Sequence, residues 1–214
     1  MLRYIVLALL IITNANAQKP LQEYNEFDSF INTHNNKYII INRGSQQLLV
    51  IDEGEVELEM KVIVGKRGWS TPVKETSIVN VITNPSWHVP RSISGEVRRK
   101  IARDPEKARR QGYVMSTDAN GVTKYTQLAG PANVLGKVKY KLSNIGNIYM
   151  HDTSGKYLFK KEKRKLSHGC IRLEKPMELL ENISDINYKK SKYPQWHKID
   201  PVPVYIVDWG REDG

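Results

Sequence analysis

Cysteine is almost absent from this sequence, with Cys170 the single example among 214 residues. One thiol cannot pair within its own chain, which excludes an internal disulfide framework. In an oxidising compartment an unpaired thiol is a liability unless its chemistry is used. Cysteine counting therefore leaves two interpretations of Cys170 open, a reactive thiol and a buried, inert one.

The N-terminus has no apolar run long enough to cross a membrane. Its run from Ile5 to Ile12 is about eight residues long, whereas a bilayer span needs roughly 20. Arg3 precedes this run, and Ala15–Ala17 supplies the small residues that a signal peptidase reads. Residues 1–17 are therefore predicted to be a secretory signal peptide, followed by a polar lead at 18–36. A short buried helix is the alternative, and the secretory prediction puts the mature chain in the periplasm.

Negative charge is in deficit, since 33 Lys and Arg oppose 23 Asp and Glu and give a net charge of +10. The excess lies in two runs, Arg98–Arg110 and Lys160–Lys165. Basic runs suit nucleic acid, anionic membrane or acidic polymers, or are solvated faces with no specific partner. No nucleic-acid recognition motif is visible, and secretion disfavours such a partner. The charge thus favours an acidic polymer of the cell envelope.

Internal repeats and low-complexity tracts are also missing, and the chain after the lead has the pattern of a mostly β domain. KYIIINR, QQLLVID and EVELEMKVIVG are rich in β-branched residues and Leu, with turn residues between them. Further strands are predicted at Ser77–Thr83, Gly136–Lys141, Asn147–His151 and Val202–Val207.

Helices are predicted in two places. The stretch from Pro90 to about Gln111 should form two short helices, the second opened by Asp104-Pro105-Glu106. A third helix is predicted at Pro176–Asn182. From Asp118 to Gly136 we expect a turn and a long loop with little regular structure, which is where lids and substrate clefts tend to lie.

The residues around the single thiol suit acyl transfer. Cysteine attacks as a thiolate, so Cys170 needs a base or electropositive surroundings. His151, at the end of the predicted strand NIYMH, is one candidate for that base, and His168 is a second. Gly169 permits a tight turn and leaves room for a carbonyl substrate. Backbone N–H groups at Gly169 and Cys170 could hold an oxyanion.

Two alternatives to a nucleophile remain open from spacing alone. His151, His168 and Cys170 could bind zinc with Asp152 as a fourth ligand, although the closely paired spacings of most zinc sites are absent. A structural histidine and an inert cysteine would also fit. Spacing favours the nucleophile without settling the choice.

Longer motifs resemble those of a known family. IYMHDT followed by LSHGCIRL resembles the signature of the L,D-transpeptidases of the YkuD family, in which a histidine precedes Ser/Thr-His-Gly-Cys, an apolar residue and Arg or Asn. VIVGKRGWSTPV resembles the family's strand and Thr-Pro segment. NPSWHVPRSI, ARRQGY and LAGPANVLGKVKY resemble the catalytic domain of the larger YcbB-type members. The resemblance runs from about Lys37 to Asn182.

This resemblance implies a fold and a domain plan. We expect a mostly β catalytic domain of sandwich-like mixed sheets at 37–208, with an inserted helical capping subdomain at about 90–136 and a tail at 209–214. No metal and no cofactor are implied. The oligomeric state is left open.

The resemblance also implies roles for individual residues. Cys170 would attack the carbonyl of the third residue of a peptidoglycan tetrapeptide stem, usually diaminopimelate, and release D-Ala. His151 would transfer protons, and an amine of a second stem would then take the acyl group from the thioester. The substrate site would be lined by Tyr149 and Trp87, floored by Ser167, His168 and Gly169, and flanked by Arg172, which would bind a stem carboxylate or shape the loop. Carbapenems would acylate Cys170.

The chain departs from both branches of the family that it resembles. The larger relatives often have Ser-Ser-Gly-Cys, carry a helical scaffold and have a peptidoglycan-binding domain, so capture here is expected to depend on the cleft and the basic surfaces. Compact members lack the long insert. The acceptor therefore stays open: a stem amine gives a cross-link, water gives an L,D-carboxypeptidase and a free amine gives exchange. A non-catalytic, basic wall-binding module is the alternative from another class.

Overall fold

The computed structural model describes residues 36–209. The predicted signal peptide, nearly all of the polar lead and most of the tail lie outside the described residues. Within them, twelve strands and three α-helices follow one another along the chain. The strands of the main sheet are β1 (Tyr38–Asn42), β2 (Gln47–Asp52), β3 (Glu55–Gly65), β4 (Lys74–Thr83), β8 (Val138–Leu142), β9 (Tyr149–His151), β10 (Lys165–Ser167), β11 (Ile171–Leu173) and β12 (Gln195–Val207). The remaining elements are β5 (Trp87–His88), α1 (Arg91–Arg103), α2 (Pro105–Arg110), β6 (Tyr113–Thr117), β7 (Thr123–Gln127), a 3₁₀ helix (Lys156–Lys160) and α3 (Pro176–Ile183).

The main sheet has nine strands in the order β10-β3-β11-β9-β8-β4-β12-β1-β2. Because β2 also pairs with β3, eight of these strands join into a hydrogen-bonded ring, and β10 lies against the end of β3. Pairing is parallel between β1 and β12, β9 and β11, and β3 and β10, and antiparallel elsewhere. The predicted mostly β domain with mixed sheets is confirmed.

Strand alternation decides which residues reach the core and which reach the site. Met150 of β9 and Ile171 of β11 are fully buried in the main apolar core, as are Val138 and Tyr140 of β8. Side chains of successive strand residues point to opposite faces. Tyr149, His151 and the other residues that flank these core positions therefore share the outer face of the sheet.

The insert between β4 and β8 has its own small core. Val97, Ala108, Tyr113 and Tyr125 are buried together, with Trp87 among the residues packed against them. The two predicted helices are confirmed as α1 and α2, and α2 begins as expected, because the Asp104 carboxylate accepts a hydrogen bond from the Lys107 N–H at 2.9 Å. The third predicted helix is confirmed as α3.

The expectation of little regular structure after Asp118 is wrong in part. The turn at Asp118 is present, since its carboxylate accepts from the N–H groups of Asn120 and Val122. It joins β6 to β7, which pair antiparallel with β5 as a three-stranded sheet. The sequence does not predict the hairpin because its strands lack a run of buried apolar residues. Of the five β6 residues, only Tyr113 is buried. The insert is thus a mixed helix and sheet unit. Within residues 36–209, no helix combines the length and the apolar character that crossing a membrane requires.

Candidate active site

The thiol lies at the junction of two adjacent strands. Cys170 immediately precedes β11, whose Ile171 and Arg172 pair with Met150 and His151 of β9. The Cys170 Sγ lies 3.7 Å from the Asn147 carbonyl oxygen. Tyr149, through its backbone N–H and its hydroxyl, acts to lower the pKa of the thiol. The register of β9 and β11 therefore fixes where the thiol is presented.

The turn that presents the thiol is held by short hydrogen bonds. The Ser167 hydroxyl donates to the Cys170 carbonyl at 2.6 Å and accepts from the Gly169 N–H at 3.1 Å. Thr71 donates to the Gly169 carbonyl at 2.8 Å and accepts from the Gly65 N–H at 2.9 Å. Because Ser167 is buried, it shapes the turn from beneath.

Gly169 is required by both its conformation and its neighbours. Its φ of +107° lies in the region that favours glycine, and a Cβ would lie 2.7 Å from Ile148 Cδ1. Its N–H is committed to Ser167, so the oxyanion role expected of this turn rests, as a proposal, on the Cys170 N–H.

His151 is buried and has a defined tautomer. Its Nδ1 hydrogen-bonds to the Asp152 carbonyl, an oxygen that can only accept, so Nδ1 carries the proton and Nε2 has a free lone pair. Burial, followed by the positive charge of Arg172, lowers the pKa of His151 to about 3. The imidazole is therefore neutral at physiological pH, and its ring centroid lies 5.5 Å from that of Tyr149.

Asp152 fixes the backbone beside His151. Its buried carboxylate accepts from the Lys137 N–H at 2.8 Å and the Thr153 N–H at 2.7 Å, and it pairs with Lys156 Nζ at 2.9 Å. With both carboxylate oxygens engaged, Asp152 orients the carbonyl that holds the imidazole.

Two cations share the outer face of the sheet with the thiol. Lys139 Nζ lies 3.8 Å from the centroid of the Tyr149 ring, and Arg172 follows Cys170 by two residues. Burial lowers the pKa of both cations, and it raises the pKa of Tyr149. Burial also raises the pKa of the Cys170 thiol, while Tyr149, Lys139 and Arg172 act in the opposite direction. The resting site therefore holds a neutral thiol and a neutral imidazole among positive charges.

The insert contacts this site through two side chains. Trp87 lies near enough to the Tyr149 hydroxyl to lower the pKa of that group, against the larger effect of burial. Glu96 of α1 accepts from His168 Nε2 at 3.2 Å, and the Trp69 ring meets the edge of the His168 ring at 4.9 Å between centroids. His168 is thereby tied to the insert.

The structure thus sets Arg172 opposite His151 and brings Cys170, which precedes Ile171, next to Tyr149, which precedes Met150, while Trp87 of the insert lies near the Tyr149 hydroxyl. Among residues 36–209, no group of three or more His, Cys, Asp and Glu side chains is arranged to hold a metal ion.

Sequence reasoning missed several contributors. Lys139 was not considered, although its place on a predicted strand put it on the face opposite the apolar Val138 and Tyr140. Thr71 lies within the motif VIVGKRGWSTPV, but nothing in that motif predicts its hydrogen bond to the Gly169 carbonyl. The Glu96 and Trp69 contacts come from distant parts of the chain, and no local pattern signals them.

A family model and a curated relative share one description, that of an L,D-transpeptidase. The model of the YkuD L,D-transpeptidase catalytic domain matches residues 36–206. A Haemophilus influenzae protein named as a candidate L,D-transpeptidase is 32% identical over 158 residues, which cover 66% of this chain and 32% of that protein. The chain thus spans about a third of the length of this curated relative.

Two solved structures are similar at low identity. An L,D-transpeptidase from Mycobacterium smegmatis is 15% identical with a TM-score of 0.44, covering 79% of this chain and 58% of that one. L,D-transpeptidase 3 from Mycobacterium tuberculosis, in complex with a faropenem-derived adduct, is 12% identical with a TM-score of 0.45, covering 80% and 60%. On the family match over residues 36–206, the chain belongs to the YkuD family of L,D-transpeptidase catalytic domains.

Proposed function

We propose that this chain is a peptidoglycan L,D-transpeptidase that cross-links stem peptides through a thioester on Cys170. One observation carries the proposal: the only thiol of the chain lies at a glycine turn, where Tyr149 acts to lower its pKa, and a neutral imidazole lies on the adjacent strand. A thiol nucleophile needs neighbours that stabilise its ionised form. It also needs a nearby group with a free lone pair that can take its proton.

In the first half-reaction, the thiol proton passes to His151 Nε2 as the sulfur attacks the carbonyl of the third stem residue. The oxyanion is held by backbone N–H donation at the turn. When the tetrahedral intermediate collapses, the imidazolium returns that proton to the departing amine, and D-Ala leaves. The thioester then remains on Cys170.

In the second half-reaction, the amine of a neighbouring stem attacks the thioester carbonyl and gives a proton to His151 Nε2. Collapse expels the Cys170 sulfur, which recovers a proton from the imidazolium, and the peptide cross-link is complete. Because burial lowers the pKa of His151 to about 3, the ring is unprotonated before each transfer, and the imidazolium that forms gives its proton up readily to the departing group.

Other side chains are assigned to substrate binding. Arg172 shares the face of His151, and its guanidinium suits bidentate binding of a stem carboxylate. Tyr149 and Trp87, which lie near each other in the structure, are proposed as the cleft wall. His168, held by Glu96, borders the same turn.

Location and partners follow from the same proposal. The predicted signal peptide and the proposed peptidoglycan substrate both support a periplasmic location. The basic helices suit an acidic glycopeptide, and carbapenems are proposed to acylate Cys170 as substrate mimics. The closeness to YcbB-type members stays a prediction.

Product analysis with a defined tetrapeptide muropeptide tests the function. We expect mass spectrometry to detect stem-peptide dimers and free D-Ala with the wild type, and neither with Cys170→Ala. Tripeptide monomers alone would indicate an L,D-carboxypeptidase, and incorporation of an added amine would indicate exchange. D-Ala release by Cys170→Ala, or no turnover by the wild type, would contradict the proposal and favour a wall-binding module.

A further inference from the structure

Lys139 occupies an unusual place for a lysine. It pairs across β8 and β9 with His151, and its ammonium lies 3.8 Å from the centroid of the Tyr149 ring. Its neighbours Val138 and Tyr140 are fully buried in the core, so Lys139 projects from the face that carries the site. It is half-buried there, although a surface lysine usually extends into water.

The charged and titratable groups around the thiol lie on three strands and in the turn. Lys139 lies on β8, Tyr149 and His151 on β9, Arg172 on β11, and His168 in the turn, where it is paired with Glu96 of α1. The nearby Asp152 carboxylate is engaged by Lys156 and two backbone N–H groups. Of the groups that influence Cys170 directly, those that carry charge are Lys139 and Arg172, and both are cations.

Apart from Cys170, the groups that act on Lys139 do not favour its charged form. Burial and the nearby Lys141 both lower its pKa, and the influence that raises it is Cys170. Its contact in the structure is an aromatic face, which holds the ammonium in place but does not neutralise it. Because charges interact strongly in a partly desolvated site, an ammonium in this position favours a negative sulfur.

We propose that Lys139 is a positioning residue which, seated on the Tyr149 ring, is the fixed counter-cation of the Cys170 thiolate and sets the pH at which the nucleophile forms. The inference rests on the proposed role of Cys170. Arg172 is thereby left available for a stem carboxylate, and Lys139 supplies charge to the sulfur before substrate arrives.

Alkylation of Cys170 tests this inference without any peptidoglycan. Since the chain has one cysteine, iodoacetamide labelling followed by intact-mass measurement reports this thiol alone. Because burial raises the pKa of this thiol, the labelling rate is measured from pH 6 to pH 11 for the wild type, Lys139→Met, Lys139→Gln and Lys139→Arg. Lys141→Met is the matched control, because it removes the same charge from the same strand at an exposed position.

We expect the labelling midpoint of Lys139→Met and Lys139→Gln to rise by about one pH unit, which is a roughly tenfold slower reaction at neutral pH. Lys139→Arg and Lys141→Met should stay close to the wild type. Thermal unfolding checks that each variant is folded. Two different neutral replacements are used so that the test still gives a result if one of them does not fold.

An unchanged or lower midpoint in the neutral variants would overturn the inference, as would an equal rise in Lys141→Met. If the midpoints move as expected while the muropeptide assay yields no product, the proposed function fails and the electrostatic role of Lys139 stands. If products form but the midpoints do not move, only the inference on Lys139 fails.

Discussion

The sheet and the insert contribute to the site in different ways. On the sheet, Tyr149, His151 and Arg172 are fixed by the pairing of β8, β9 and β11, and the thiol follows from the turn before β11. The insert reaches the site by the side chains of Trp87 and Glu96, and its own core is a cluster of four buried residues. The groups assigned to chemistry thus lie on the main sheet, which has the larger core, and the insert with its smaller core borders them.

The two regions also differ in charge. The basic run Arg98–Arg110 covers α1 and α2 with exposed side chains, and among its arginines the described ion pairs include only that of Arg109 with Glu106, at 3.1 Å within one helix. An exposed ion pair of this kind contributes little to the stability of the fold. We therefore expect changes on the sheet to affect the chemical steps, and changes on the insert to affect capture of a polyanionic substrate.

The largest effect is expected at His151. His151→Gln retains a group that can donate to the Asp152 carbonyl but removes the proton carrier, so we expect acyl-enzyme formation to slow by about 10²–10⁴-fold. Stopped-flow or quenched-flow mass spectrometry with a carbapenem measures this rate.

His168→Gln is the control, because that imidazole is tied to Glu96 of the insert. We expect it to slow acylation by less than tenfold. If both variants slowed acylation equally, the sheet residue His151 and the turn residue His168 could not be assigned different roles.

Gly169→Ala should destabilise the fold and displace the thiol. The positive φ and the approach to Ile148 together are expected to lower the free energy of unfolding by about 2–4 kcal/mol. Gly54→Ala is the matched control, since Gly54 has a φ of +82° but nothing within 4 Å of its Cβ position. Urea denaturation distinguishes them, and equal losses would show that the contact with Ile148 costs nothing.

The buried imidazole should make stability depend on pH. The unfolded chain binds a proton at His151 below about pH 6.5, whereas the folded chain resists it until about pH 3. Stability contributed by the neutral ring is therefore lost as pH falls from 6.5 toward 3, by up to about 1.4 kcal/mol per pH unit. His151→Gln should flatten this slope in urea titrations, and an unchanged slope would contradict a buried neutral ring.

The smallest effect is expected on the insert. Reversing the charge at Arg98, Arg99 and Lys100 should raise the KM for polymeric peptidoglycan by a few-fold at low salt, and leave kcat for a soluble muropeptide unchanged. Reversal at Lys189, Lys190 and Lys192 changes the net charge equally, outside the insert. If both triple variants behave alike, overall charge and not the basic helices governs capture.

Local patterns were sufficient for much of the fold, while the assignment of the site residues stays a prediction. The β-branched runs predicted β1 to β3, the Asp-Pro-Glu start predicted α2, and the Ser-His-Gly-Cys turn predicted where a thiol would be presented. The hairpin of β6 and β7 was missed because its exposed, polar strands lack an apolar alternation. Lys139 and Glu96 were missed because their relation to the thiol is created by strand register and by docking of α1, which no local window contains.

The central claim is that Cys170 carries the acyl group. Incubation with a tetrapeptide donor, rapid acid quenching and intact-mass measurement test it most directly, with peptide mapping to locate the adduct. The account predicts a mass increase equal to the donor after loss of D-Ala, confined to the peptide that contains Cys170. The absence of any adduct in the wild type, or the same adduct in Cys170→Ala, would contradict it.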